Sequence, residues 1–119
     1  MSSQPEQLRE RTKAFALRII RLYRSLPYRT DTQVLGKQLL RCGTSVAANY
    51  RAVGRARSKV EFVSRMGIVV EEADEAILWL ELMTESGIVS VEKTKELLKE
   101  ANELTSIFSA SQRTARNVA

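Results

Sequence analysis

The chain has 119 residues, a formal net charge of +5, 44% hydrophobic residues and 28% charged residues. These values are typical of one globular domain and exclude a globally disordered chain. No apolar run is long enough for a membrane span or a signal peptide, and the single cysteine, Cys42, excludes an internal disulfide. We therefore expect a cytoplasmic protein that has no membrane partner.

The charge differs between the two halves of the chain. Residues 1–59 carry thirteen lysines and arginines against three acids, a net charge of +10, whereas residues 60–119 carry six bases against eleven acids, a net charge of −5. Two interpretations fit this asymmetry. Either the basic half contacts nucleic acid, or basic helices pair with acidic helices inside one bundle or between subunits.

Apolar residues recur at the spacing of an amphipathic helix in four segments. The first runs from Pro5 to Leu26 and ends there because Pro27 disfavours a helical conformation in the residue before it. The second begins at Thr30, where Thr30 and Gln33 predict a capping box. The predicted stripes are Leu8, Phe15, Ile19, Leu22 and Leu26 in the first helix, and Leu35, Leu39, Cys42, Val46, Asn49 and Val53 in the second.

A second capping box, Ser58 with Glu61, predicts the start of the third helix, and Ser90 predicts the N-cap of the fourth. Ser86 and Gly87 predict the break between these two helices. The predicted stripes are Phe62, Met66, Val69, Ala73, Ala76, Leu80 and Met83 in the third helix, and Leu97, Ala101, Leu104 and Phe108 in the fourth.

Short connections force the four segments to lie antiparallel in chain order. The sequence therefore predicts an all-α protein, an antiparallel up-down-up-down four-helix bundle, formed as a single domain by residues 1–108. Residues 109–119 are polar and predict a flexible C-terminal tail that frays from the end of the fourth helix.

Small and polar residues interrupt the apolar surface of the second helix. Gly36 and Gly43 lie on one side of it, and a glycine inside a helix costs about 0.5–1 kcal/mol relative to alanine. We expect them to allow close approach of another helix, either within the bundle or, as we favour because Tyr50 continues the same line, between subunits. Asn49 predicts either a buried amide that sets register or oligomer state, or a side chain that tilts to the surface and bonds water.

Polar residues on the second and third helices predict a structural clasp. Because these helices are antiparallel about the turn that joins them, facing residue numbers sum to about 113. Arg41 is then level with Glu72, and Gln38 with Glu75. We expect Arg41 to lie partly buried between the two carboxylates, with Trp79 covering it.

The sequence contains no recognisable catalytic or metal-binding constellation. It has no histidine, which excludes Ser-His-Asp and Cys-His catalysis and the Glu-x-x-His pairs of di-metal bundles. Glu72 and Glu75 alone are too few ligands for a metal, and Cys42 lies in an apolar stripe where its pKa would rise. We therefore expect no enzyme activity, no catalytic residues, no metal and no cofactor.

A basic surface is the remaining candidate site. Lysines and arginines cluster at the turn between the second and third helices and along the first helix. Such a patch binds phosphates without reading sequence, and few aromatic residues are available for base stacking. The candidate nucleic-acid-binding residues are Arg51, Arg55, Arg57, Lys59, Arg18, Arg21 and Arg24.

The stretch QLLRCGTSVAANYRAV, with LYRSLP before it and EFVSRMGIVVEEADEAILWLEL after it, resembles the 23S ribosomal RNA intervening-sequence protein family, also called four-helix bundle proteins. The resemblance covers residues 14–108. Two sets of residues at the expected distance from each other carry it: Gln38, Arg41, Thr44, Ser45, Ala48, Asn49 and Tyr50, and then Phe62, Glu72, Glu75, Trp79 and Leu80.

The resemblance implies a bacterial bundle that assembles into a ring-like homo-oligomer, a pentamer, with no defined catalytic residues. Members occur as open reading frames inside ribosomal RNA intervening sequences. A relative, the accessory protein of diversity-generating retroelements, is a basic pentameric bundle that works with a reverse transcriptase. Two functions stay open: a non-enzymatic homo-oligomer that binds RNA or DNA non-specifically, alone or with a protein partner, and a protein–protein interaction scaffold with no nucleic-acid role.

Overall fold

The computed structural model describes residues 3–118 as four helices joined by short turns. Helix α1 spans Gln4–Arg24, α2 spans Thr30–Val53, α3 spans Lys59–Glu85 and α4 spans Val91–Asn117. Each helix packs on the next in chain order, and α1 and α4 make the smallest of the four contacts. This arrangement confirms the predicted all-α, antiparallel four-helix bundle.

The core follows the predicted stripes closely. Of the predicted apolar positions, only Leu26, Leu35 and Phe62 are partly rather than fully buried. The bundle also buries three threonines that the apolar pattern does not identify: Thr12, Thr32 and Thr94. The hydroxyls of Thr12 and Thr94 bond backbone carbonyls of their own helices, and that of Thr32 bonds the Asp31 carboxylate. A threonine whose hydroxyl is satisfied locally fits an apolar interior at low cost.

The start of α2 differs from the predicted capping box. Arg29 occupies the N-cap position and makes no side-chain cap hydrogen bond, whereas Thr30 is already helical. The Gln33 amide oxygen accepts a hydrogen bond from the Tyr23 hydroxyl at 3.0 Å instead of reaching back along the chain. The capping prediction is wrong here because a partner on the neighbouring helix competes for the same side chain.

The start of α3 realises half of its predicted capping box. The Ser58 hydroxyl accepts from the Glu61 backbone N–H at 3.0 Å. The Glu61 carboxylate, however, accepts from the Arg57 backbone N–H at 3.3 Å and pairs with Arg65 at 2.6 Å. Arg65 also donates to the Ala52 carbonyl at 2.6 Å, so the same arginine links the start of α3 to the end of α2.

The fourth helix is longer than predicted. Ser90 is its N-cap residue, but the Ser90 hydroxyl makes no cap hydrogen bond. Beyond Phe108 the helix continues to Asn117, so the predicted helix end is wrong. The Gln112 amide donates to the Val63 carbonyl at 3.1 Å, which ties this extension to the N-terminal part of α3. Flexibility of residues 109–118 stays a prediction, and residues 1, 2 and 119 of the predicted domain and tail lie outside the described residues.

The glycines of α2 allow close packing within one chain. A Cβ atom on Gly36 would lie 3.0 Å from Leu26 Cδ1, and one on Gly43 would overlap the Ile19 side chain, both in the region of α1. Tyr50 is buried and stacks on Phe108 of α4, with ring centroids 5.4 Å apart. The subunit contact that we favoured for these residues is therefore corrected: helices of the same chain already cover them.

Asn49 has partners on its own helix. It is half-buried, and its amide donates to the Ser45 carbonyl at 2.9 Å and to the Ser45 hydroxyl at 2.8 Å. Both hydrogen bonds lie within one turn of α2. Neither expected role, a register-setting buried amide or a side chain bonded only to water, describes this arrangement.

Within the described residues, no helix is long and apolar enough to cross a membrane.

Candidate nucleic-acid interface

The structure places Arg41 between Glu72 and Glu75, as the helix register predicts. Its guanidinium nitrogens lie 3.3 Å from Glu72 and 3.1 Å from Glu75, and its Nε donates to Gln38 Oε1 at 3.4 Å. Gln38 thus bonds Arg41 rather than facing Glu75. About half of the Arg41 side chain is exposed, at 53%, so the clasp lies at the surface of the α2–α3 seam. Trp79 is half-buried, and its indole N–H has no hydrogen-bond partner among the described residues.

Cys42 extends this clasp into the core. Its thiol donates to Glu75 at 3.3 Å, and an Arg41 nitrogen lies 3.2 Å from its sulfur. Burial, together with the hydrogen bond to Glu75, raises the pKa of Cys42 to about 12, although Arg41 acts in the opposite direction. The thiol is therefore protonated at neutral pH and is a poor nucleophile.

Cys42, Glu72 and Glu75 also form a geometrically compact set of ligand atoms, all within 4.8 Å of one another. A metal there would need a thiolate and two free carboxylates. Instead the thiol is protonated, and the guanidinium of Arg41 bonds all three side chains. An arginine already supplies the positive charge at this position, so the geometry does not suit a cation site.

The charge asymmetry is only partly neutralised inside the bundle. Two cations of the first half pair across helices: Arg11 with Glu100 of α4 at 2.6 Å, and Arg41 with the acids of α3. Arg29 pairs locally with Asp31 at 3.7 Å. The remaining arginines and lysines of α1, α2 and the turn after α2 form no ion pair with a described residue.

Three of these unpaired cations line a groove between α1 and α2. Arg9 and Lys13 lie on one side and Arg51 on the other, and the groove has a volume of about 320 Å³. Its remaining lining residues are short: Thr44, Ala47 and Ala48. Because the side chains on this part of α2 are small, they form the base of the groove, and the three long cationic side chains form its walls. The pattern of apolar residues did not indicate Arg9 and Lys13, but the antiparallel register of α1 and α2 would have placed them beside Arg51.

The turn between α2 and α3 adds further charge at the same end of the bundle. Arg55 and Arg57 are exposed there, within six residues of Arg51. Lys59, also a predicted phosphate ligand, donates instead to the backbone carbonyl of Val118. We call Arg9, Lys13, Arg51, Arg55 and Arg57 the basic end.

The cations predicted on α1 lie elsewhere. Arg24 is fifteen residues from Arg9, which is about 22 Å along a helix. Arg21 and Arg24 are exposed and lie near the start of α2, whereas Arg18 is half-buried. The seven predicted residues therefore do not form one patch. Of these seven, only Arg51, Arg55 and Arg57 belong to the basic end.

Comparison with known proteins gives the same fold and a family. A profile of the 23S rRNA-intervening sequence protein family matches residues 6–110. The chain is also similar to a protein of unknown function from the S23 ribosomal protein family of Bacteroides thetaiotaomicron, whose crystal structure superposes with a TM-score of 0.86 at 28% identity, covering 93% of this chain and 99% of that one. No curated protein matches the sequence significantly. Because the profile spans nearly the whole bundle, this chain belongs to the 23S rRNA-intervening sequence protein family.

Proposed function

We propose that this protein is a non-enzymatic homo-oligomeric bundle that binds RNA or DNA through its basic end, without reading sequence. The observation that carries the proposal is the basic end itself: five cations within one end of the bundle, none in an ion pair with a described residue. Unpaired arginines and lysines of this kind bind backbone phosphates and release counterions.

The surroundings of the basic end favour backbone contact over base recognition. Glu6 and Glu10 lie beside Arg9 and Lys13, so the local charge is positive but moderated. Tyr50, which lines a pocket together with Arg9, is buried against Phe108 and offers no face for base stacking. Because the described part of the basic end has no exposed aromatic ring, affinity there would come from phosphates and would be similar for different sequences.

Oligomerisation would strengthen such weak contacts. A ring-like homo-oligomer, a pentamer as the family resemblance implies, presents several basic ends to one nucleic acid strand. Binding of the first end raises the effective concentration of the others, so total affinity grows without any new type of contact.

A fluorescence-anisotropy titration tests the proposal. A labelled 20-nucleotide single-stranded RNA, and DNA of the same sequence, are titrated at 50 mM salt with the wild type and with the Arg51→Ala/Arg55→Ala/Arg57→Ala variant. We expect this triple variant to bind about tenfold or more weakly, because three phosphate contacts are lost.

The matched control is Lys93→Ala/Lys95→Ala/Lys99→Ala, which removes the same charge from the exposed surface of α4. We expect it to bind like the wild type. Equal losses in the two triple variants, or no binding by the wild type at 50 mM salt, would contradict the proposal.

A second candidate function, a protein–protein interaction scaffold, has one observation in its favour. Helix α3 exposes Ile68, Leu78 and Leu82 by 44%, 47% and 42% respectively. Exposed apolar side chains repeated along one helix face are typical of contact with another protein. The same anisotropy titration distinguishes the two functions, because a scaffold with no nucleic-acid role would not bind the labelled RNA or DNA at any salt concentration.

A further inference from the structure

A pocket with a volume of about 150 Å³ enters the bundle at the end where α1 begins and α2 ends. All four helices line it: the starts of α1 and α3, the end of α2 and the second half of α4. The apolar core is therefore incompletely filled at this end of the bundle. The apolar lining residues are Pro5, Leu8, Val53, Phe62, Met66 and Ile107.

The pocket has the size and surroundings of a site for one aromatic ring. An apolar cavity of about 150 Å³ in a protein interior holds a benzene ring. Phe62 and Met66 supply an aromatic ring and a thioether, and both groups contact aromatic ligands favourably. Gln4, Phe62, Ile107 and Ser111 also line a shallower groove along the end of α4, so the pocket is connected to the surface on that side.

Tyr50 lines the pocket with a hydroxyl that has no hydrogen-bond partner among the described residues. The side chain is only 6% exposed, and buried polar groups of folded proteins are nearly always hydrogen-bonded. Its oxygen keeps some contact with solvent, because Trp79 carries the only fully enclosed unpartnered side-chain atom of the described chain. The hydroxyl is therefore free to donate to a molecule that enters the pocket.

Arg9 places a positive charge beside this hydroxyl. Its Nη1 lies 3.8 Å from the position that a Cβ on Gly54 would take, so the side chain lies over the end of α2 next to the pocket. Burial raises the pKa of Tyr50, and the charge of Arg9 acts in the opposite direction, as expected for neighbouring groups. Arg9 shares a separate groove with Glu6 and Glu10 but forms no ion pair with a described residue.

The polar groups of the pocket favour an anion. None of its described lining residues is acidic, and Arg9 and the protonated hydroxyl of Tyr50 both donate hydrogen bonds. The remaining polar lining residues, Gln4 and Ser111, carry no charge. A guanidinium and a hydroxyl together match the two oxygens of a carboxylate, which only accepts hydrogen bonds.

We infer that this pocket binds a small aromatic carboxylate, whose ring occupies the apolar space while its oxygens accept hydrogen bonds from Tyr50 and Arg9. This site goes beyond the proposed binding of nucleic acid. Arg51, Arg55 and Arg57 do not line the pocket, so the two kinds of binding are tested with different variants.

A titration followed by heteronuclear NMR of the isotope-labelled protein tests the site. Sodium phenylacetate, which has one ring and one carboxylate, is the probe. We expect saturable shifts of amides around the pocket, such as those of Leu8, Val53 and Ser111, with a Kd of about 1 mM, the order expected for so small a ligand. Phenylacetamide has a similar shape but no charge and should bind about tenfold more weakly.

Two variants remove the donors one at a time. Tyr50→Phe and Arg9→Gln should each weaken phenylacetate binding by about five- to tenfold, and Arg9→Gln should leave phenylacetamide binding unchanged. Because the Tyr50 hydroxyl bonds no described residue, we expect Tyr50→Phe to melt no earlier than the wild type, which circular dichroism checks. The matched control is Lys13→Gln, which removes a charge one turn further along α1, outside the pocket, and should bind phenylacetate like the wild type.

Four results would overturn the inference. The first is no saturable shift of the pocket amides at about 20 mM phenylacetate. The second is equal affinity for phenylacetate and phenylacetamide, which would indicate an apolar cavity without an anion site. The third is unchanged binding by Tyr50→Phe, or an equal loss in Arg9→Gln and Lys13→Gln, which would indicate attraction by the general positive charge. The fourth is tighter binding of uridine 5′-monophosphate at the same amides, which would assign the pocket to a nucleotide.

Discussion

At Gly43 one absent methyl group sets the distance between two helices. Gly43 is buried against Ile19, which is itself fully buried, so an added Cβ would overlap a side chain that has little room to move. Gly54, by contrast, has an ordinary right-handed conformation, with φ −63°, and the nearest atom to an added Cβ would be the Arg51 carbonyl oxygen at 3.5 Å. The sequence shows that both are glycines, but only the packing shows which one is required.

Gly43→Ala should destabilise the bundle by about 1 kcal/mol. Overpacking costs about 1–3 kcal/mol, and the better helix propensity of alanine recovers up to about 1 kcal/mol. Urea unfolding followed by circular dichroism measures this change. Gly54→Ala is the control and should be neutral or slightly stabilising. Ile19→Val, which removes the overlapping Cδ1, should partly rescue Gly43→Ala; additive losses in the double variant would contradict the close contact.

Cys42 should be almost unreactive in the folded protein. With a pKa of about 12, only ~1 in 10,000 thiols is ionised at pH 8, and burial adds a steric barrier. Iodoacetamide at pH 8, followed by intact-mass measurement, should label the native protein far more slowly than the urea-unfolded protein. Equal labelling rates would show that the thiol is accessible and ionised.

The same pKa gives a pH dependence of stability. Below pH 9 the thiol is protonated in both states, whereas from about pH 9 to 12 the unfolded chain loses the proton and the folded chain retains it. The folded state then binds more protons, so the free energy of unfolding falls as pH rises through this range. Urea unfolding from pH 8 to 10.5 should show a steeper fall for the wild type than for Cys42→Ala. Parallel curves for the two proteins would contradict the assignment.

At the scale of the helices, the starts of α3 and α4 look alike in sequence and differ in structure. Both begin after a serine in extended conformation, but only the Ser58 hydroxyl accepts a backbone N–H. Propensity and spacing predicted the positions of both starts within one residue. They could not predict which hydroxyl bonds, because that depends on a rotamer chosen by the surrounding packing.

Ser58→Ala should therefore cost more stability than Ser90→Ala. Loss of a hydrogen-bonded N-cap costs about 1 kcal/mol. Removing a hydroxyl that caps nothing costs about a few tenths of a kcal/mol, which is close to the precision of the measurement. Thermal melts of the two variants and the wild type make the comparison. A larger loss for Ser90→Ala would contradict the observed caps.

At the scale of the whole molecule, apolar spacing was sufficient for the fold. Four stripes with short connections leave one simple antiparallel arrangement, and register along α2 and α3 placed Arg41 beside Glu72 and Glu75 correctly. The grouping of the free cations was harder. Arg9 lies beside Arg51 because α1 and α2 are antiparallel, so the start of α1 is level with the end of α2. Arg24 is at the other end of α1 and is separated from both for the same reason.

The salt dependence of RNA binding tests the central claim, that the basic end binds backbone phosphates. Anisotropy titrations of the 20-nucleotide RNA between 50 and 200 mM salt give the slope of log K against log salt concentration. Single-stranded contacts contribute about −0.7 each, so Arg51→Ala/Arg55→Ala/Arg57→Ala should make the slope about 2 units less negative than that of the wild type, whereas the Lys93, Lys95 and Lys99 control leaves it unchanged. A wild-type slope near zero, or one that the three arginine substitutions do not change, would contradict the account.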